Sequence, residues 1–219
     1  MFEEQVSLKV GQEIRDKAWG VTDQFLQVHD IVRVDGQPKI ERIDTERADG
    51  AIVAYVPVKD ESFYFALYFD NKESLKIIGI GTEPYNSVYF RATSDKLNVN
   101  ELKSLTTLKA TKYWTKGDKK KYGVGFYNFS SLEIEPNPEP DEFEDKLKKL
   151  LDTLEKDRDG VKKLADMASA YIQVNMRFHN GNKMLGGPHL DKKTIGRLSE
   201  LNLTVDFDLY ADGNFFKEE

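Results

Sequence analysis

Three apolar runs follow one another with only short polar turns between them, and they constrain the fold more than any other feature. Ala51 to Val58 is nearly all apolar, Phe63 to Phe69 holds five aromatics among seven residues, and Leu75 to Ile80 is rich in isoleucine. Lys59-Asp60-Glu61-Ser62 and Asp70-Asn71-Lys72-Glu73 separate them. Runs this short, broken by turn residues, read as strands of an antiparallel meander. Upstream, Val6, Leu8 and Val10 alternate with polar residues and predict a strand, interrupted at Gly11. Residues 12–24 allow a short helix. From Phe25 to Val34 the apolar phase switches near His29-Asp30, as a bulge would produce. Asp35-Gly36 is a turn signal.

From Ser87 the pattern changes to alternating strands and helices. Val88 to Ala92 reads as a strand, Asn98 or Asn100 can cap a short helix, and Tyr122 to Ile134 reads as a long strand. Pro136, Pro138 and Pro140 make a stiff connector. The clearest helix follows. Asp141, Glu142, Glu144 and Asp145 fill its first turns, and Phe143, Leu147, Leu150, Leu151 and Leu154 line one face. Tyr171 to Phe178 alternates with period two. Asp191 opens a helix through Leu198, and Leu203, Val205, Phe207 and Leu209 alternate with Thr204, Asp206 and Asp208. The expectation is an α+β chain. An antiparallel β-rich domain spans 1–85, and a ferredoxin-like sandwich of split strand–helix–strand units spans 86–219.

Several function classes drop out. The 219 residues include no cysteine, which removes disulfides, thiolate catalysis and zinc-thiolate sites. The three histidines, His29, His179 and His189, stand far apart with no i, i+4 ligand spacing. His189 beside Asp191 reads as a loop residue before a helix cap. Gly117-Asp118 with Lys119 to Lys121 lacks the glycine spacing of a phosphate loop, and no Gly-x-Ser-x-Gly elbow occurs. No metal and no cofactor are expected. No apolar run reaches the roughly 20 residues of a membrane span, and the acidic start, Met1-Phe2-Glu3-Glu4, does not resemble a signal peptide. A cytoplasmic location without membrane attachment is the expectation.

Net charge is −6. Residues 1–85 hold 16 acids and 10 bases, so the excess lies there. An acidic surface disfavours nucleic acid and favours a basic protein partner. Asp44, Glu46, Asp49, Asp60 and Glu61 fall in two inferred turns and are the expected steering residues. Trp114, Gly117 and Asp118 are expected to anchor a turn structurally.

Taken in order, Trp114-Thr115-Lys116-Gly117-Asp118, the strand Tyr122 to Phe129, the leucine-rich helix Leu147 to Leu154, Gly186-Gly187-Pro188-His189-Leu190-Asp191 and Val205-Asp206-Phe207-Asp208-Leu209-Tyr210 carry a resemblance. Residues of about 87–210 resemble an uncharacterised bacterial family known as a domain of unknown function, some members of which resemble immunity proteins of toxin systems. The resemblance implies a non-enzymatic binding module, an inhibitor of a basic toxin. The alternative is an enzyme or small-ligand protein with its site in the cleft between the two parts.

Overall fold

The computed structural model describes residues 2–47, 50–70, 74–182 and 185–217. In chain order these form α1 (Phe2–Asp16), α2 (Gly20–Leu26), β1 (Arg33–Val34), β2 (Gln37–Pro38), β3 (Arg42–Asp44), β4 (Ile52–Pro57), β5 (Tyr64–Asp70), β6 (Lys76–Glu83), β7 (Tyr85–Ser94), α3 (Val99–Ser104), β8 (Lys112–Trp114), β9 (Ser130–Ile134), α4 (Phe143–Leu154), α5 (Arg158–Met167), β10 (Ser169–His179), α6 (Lys192–Glu200) and β11 (Thr204–Asp212).

The meander is present as the four-stranded antiparallel sheet β3-β4-β5-β6. Period two sorts the aromatic strand: Phe65, Leu67 and Phe69 face α1 and α2, with Ala66, Tyr64 and Tyr68 on the opposite side. The start of the chain is helical rather than extended. Val6, Val10 and Ile14 recur every fourth residue and are buried, whereas Leu8 is 74% exposed. The alternation at 6, 8 and 10 therefore fits a helix face that omits Leu8. Phe25 to Val34 is likewise not one strand: α2 ends at Leu26, Ile31 bridges singly to Val58, and only Arg33–Val34 forms β1. Buried Glu13 joins the two helices by accepting from Trp19 N at 3.1 Å and Thr22 Oγ1 at 2.6 Å. Asp35 (φ 50°) and Gly36 (φ 79°) make the two-residue turn between β1 and β2.

At Pro84 the chain leaves one sheet for another. The second sheet runs β11-β10-β7-β9-β8, antiparallel except for β10 and β11, which α6 connects as a parallel pair. The sheet contains two split units, β7 and β8 running the same way on either side of β9 and joined through α3, and β9 and β10 running the same way on either side of β7 and joined through α4 and α5, with β11 added at the edge. Leu102 of α3, Leu147, Leu150 and Leu151 of α4, Val161 and Leu164 of α5 and Leu198 of α6 share one core with Phe90, Ile172 and Val174. All four helices thus lie on one face. The strand expected over 122–134 is present only from Ser130, and Tyr122 to Phe129 forms an irregular hairpin.

Charged side chains join the two sheets. Arg42 Nη1 donates to the Pro140 carbonyl at 2.6 Å and lies 3.0 Å from Asp141 Oδ2, and its Nη2 is 3.1 Å from Asp44 Oδ1. Asp141 also accepts from Lys149 Nζ at 2.7 Å and Asn137 Nδ2 at 2.6 Å, and its carbonyl accepts from Asn86 Nδ2 at 2.9 Å. Burial pushes the Asp141 carboxyl up, but the hydrogen bonds from Lys149 and Arg42 outweigh it and hold the group below the usual carboxylate range. Lys146, fully enclosed nearby, donates to the Asn137 carbonyl at 2.8 Å, and burial pushes its amine down to about 8. Removing one partner of such a network strands the others without solvent. Asp141→Ala should therefore destabilise the protein by about 3–5 kcal/mol, read as a lowered urea midpoint at neutral pH.

Candidate binding face

Among the described residues no helix packs on the second face of the five-stranded sheet, and its residues come from the polar phase of each strand. The register places Tyr89 and Arg91 of β7 beside Gln173 and Tyr171 of β10, which in turn neighbour Asp206 and Thr204 of β11. Arg91 donates twice to Glu133 Oε1, at 2.9 and 2.7 Å, and its guanidinium lies 5.1 Å from the Tyr89 ring centre. Arg177 repeats the motif, with Asp212 Oδ2 at 2.7 Å and the Tyr210 ring at 4.5 Å. Gln173 donates to Asp208 Oδ2 at 3.1 Å, and Ser87 donates to Glu135 at 2.9 Å. Burial pushes the Tyr89 hydroxyl above its ordinary range. Each arginine is thus held in place by a carboxylate and a ring. Asp206 and Asp208 on the edge strand are exposed, with no ion-pair cation among the described residues. The signal for this face was the strict alternation in residues 171–178 and 203–209, whose polar phase holds tyrosine, glutamine, asparagine and arginine rather than lysine and glutamate.

The expected steering acids separate. Asp44 is a correction: it is 2% exposed, bound to Arg42 and to the Glu46 amide, because the charged run it belongs to begins inside β3 rather than in a turn. Glu46 and Asp60 are exposed, Glu61 is half-buried, and Asp49 lies outside the described residues. Trp114 ends β8 and is buried, stacked on Tyr127 at 4.6 Å, and its Nε1 has no hydrogen-bond partner among the described residues. Gly117 (φ 91°) donates to the Tyr127 carbonyl at 2.8 Å, and Asp118 Oδ2 accepts from Thr115 N at 2.8 Å.

Two of the dispersed histidines meet. His29 Nε2 and His179 Nε2 are 3.0 Å apart, and the Asn214 carbonyl lies 3.3 and 3.0 Å from them. Phe25, Phe63 and Phe216 enclose the pair. The last residues close tightly: a Cβ on Gly213 would come within 2.8 Å of Phe63, and one on Gly181 within 2.6 Å of His179. His179 Nδ1 has no hydrogen-bond partner among the described residues, so the proton belongs on its Nε2, donating toward His29 and Asn214. No carboxylate bonds either ring among the described residues, and no group of three or more metal-ligating side chains occurs among them. Their separation of 150 positions left no sequence signal. His189 is exposed elsewhere. Its amide donates to Glu144 at 2.9 Å, and Asp191 caps α6 through Thr194 N at 2.7 Å. Both line an open cleft of about 290 Å³ with Lys148 and Arg197.

Burial first, then the adjoining His29, depress the His179 pKa against the raising effect of the Asn214 carbonyl. A histidine held neutral in this way contributes stability that is whole above about pH 6.5 and is lost as pH falls through the depressed value. The thermal midpoint should therefore drop between about pH 7.5 and 5.5, and His179→Phe should flatten that drop. For Trp114, replacement by alanine should cost about 3–5 kcal/mol and by phenylalanine under about 2, because phenylalanine keeps most of the stack and removes an unpaired buried N–H. Urea unfolding of the two variants checks the ordering.

Sequence comparison adds one finding. No curated protein and no solved structure matches the chain. The family described as "Domain of unknown function (DUF4279)" matches residues 83–212. That stretch runs from the end of β6 to the end of β11 and so holds the whole five-stranded sheet and α3 to α6. With well over half of its length matched, the chain belongs to the DUF4279 family.

Proposed function

We propose that the protein is a binding module of the immunity-inhibitor type, acting in the cytoplasm, that holds a basic protein partner on the uncovered face and β11 edge of the five-stranded sheet. Residues 1–85 and 86–219 serve as its two units. The observation that carries this is the state of that face. Tyr89 and Tyr171 are half-buried and its arginines are already neutralised by Glu133 and Asp212, while Asp206 and Asp208 remain exposed. Side chains ordered before binding lose less entropy on association, and tyrosine is enriched at protein interfaces. Glu46, Asp60 and Glu61 add to the long-range attraction. The alternative of a catalytic cleft draws little support from the histidine pair, since phenylalanines enclose the rings and no carboxylate bonds them among the described residues.

The test begins with partners retained from the native host, followed by association rates for any basic protein recovered. Steering by charge should make the on-rate fall about tenfold or more between low and high salt, with the off-rate changing less. Asp206→Lys with Asp208→Lys should slow association further than Glu46→Lys with Asp60→Lys. An acidic partner, or one insensitive both to salt and to the β11 variants, would overturn the proposal.

A further inference from the structure

The whole-chain charge conceals a second, opposite concentration. Residues 96–129 hold eight lysines, no arginine and two acids, a net of +6. Both acids are occupied: Glu101 accepts the Asn98 amide at 2.7 Å, and Asp118 the Thr115 amide at 2.8 Å. The lysines run from α3 along β8 into the hairpin that follows it. Lys103 Nζ sits 3.0 Å from the Tyr113 ring centre, Lys112 Nζ 5.5 Å from that of Trp114, and Lys119, Lys120 and Lys121 are exposed.

The hairpin is built to project. Gly117 N to Tyr127 O at 2.8 Å, Tyr127 N to Asp118 O at 2.9 Å and Lys120 N to Gly125 O at 3.0 Å tie its arms together, and the Trp114–Tyr127 stack seats its base. Gly123 and Gly125, with φ of 83° and 103°, turn the tip. Tyr122, beyond those bonds, is 81% exposed, and Phe126, on the returning arm, is 64% exposed. Large rings are rarely left this open beside so many cations without a ligand that uses both.

We propose that this edge, from Lys103 to the hairpin tip, binds single-stranded nucleic acid, with the lysines on successive phosphates and Tyr122 and Phe126 stacked on bases. Free rings serve unpaired bases and are of no use to a stacked duplex. The charge extends along β8 instead of collecting behind the tip, which suits a polymer that follows the strand better than a flat bilayer. The negative charge that argued against nucleic acid resides in residues 1–85, at other elements, and charges separated by more than about 10 Å are screened at 0.1 M salt. This site is independent of where a basic protein docks.

Fluorescence anisotropy of the full chain tests it, with labelled oligo-dT, oligo-rU and a duplex, each of about 12 nucleotides per strand. Single strands should bind more tightly than duplex, and four lysine–phosphate contacts should weaken binding about 50-fold between about 50 and about 200 mM salt. The dT and rU arms distinguish DNA from RNA as the source. Lys119→Ala, Lys120→Ala and Lys121→Ala together should reduce the log–log salt slope by about 2. Tyr122→Ala or Phe126→Ala should weaken binding about tenfold at unchanged slope. All five positions are exposed, and circular dichroism confirms that each variant stays folded. Equal binding to duplex, no binding at the lower salt, or variants that bind like the parent would overturn the inference. So would retention on phosphatidylserine vesicles or on an acidic protein through these same residues while the oligonucleotides stay free.

Discussion

The buried carboxylate of Asp141 sits where the two sheets meet, and the placement of almost every neighbouring element answers to it. It faces Arg42 from β3, Lys149 from α4 and Asn137 from the proline connector, while its own carbonyl receives Asn86 from β7. A carboxylate removed from water needs donors from several directions. Here those donors come from both sides of the junction. The tyrosine-bearing face of the first sheet is thereby covered by the start of α4 and the connector, just as α1 and α2 cover its phenylalanine face. Apolar packing joins sheet and helix layers, and charge fixes their register at this point, with Arg47–Glu142 and Arg197–Glu155 as further ion pairs between elements.

The end of the chain makes a second tie. Beyond β11, Asn214 and Phe216 return to the first core, where Asn214 Nδ2 donates to the Val28 carbonyl at 2.9 Å and its own carbonyl meets both histidines. The boundary that the sequence pattern suggests at residues 85 and 86 is therefore crossed in space by the last few residues. The family match ends at 212, just before this return, and the tail docks both on residues outside the matched region, Val28 and His29, and on His179 within it.

Charge is organised at three scales. Within the open face, arginine, carboxylate and ring form repeated local units with little net field. At the β11 edge two carboxylates stay exposed. At the opposite edge β8 and its hairpin concentrate lysine. A net charge taken over a whole chain averages these away, which is why it misjudges what each edge can attract.

Periodicity carried much of the architecture. The meander β4 to β6, the helix α4 with its leucines, and the strands β10 and β11 were legible because each buries one face, and burial imposes a period of 2 or 3.6 on side chains. The ambiguous places were those where both periods fit or no face is buried. Val6, Leu8 and Val10 suit either template until Ile14 and an exposed Leu8 settle the matter. Tyr122 to Phe129 alternates like a strand, yet Tyr122, Val124 and Phe126 stay exposed while Tyr127 and Phe129 pack on Trp114. Composition and spacing alone determined an α+β chain without cysteine chemistry. Only the tertiary structure decided that Asp44 is an internal ion-pair partner, that His29 and His179 meet across 150 residues, and that a lysine-rich hairpin stands at one sheet edge. Contacts between residues distant in sequence depend on how the layers close, and no local pattern encodes that closure.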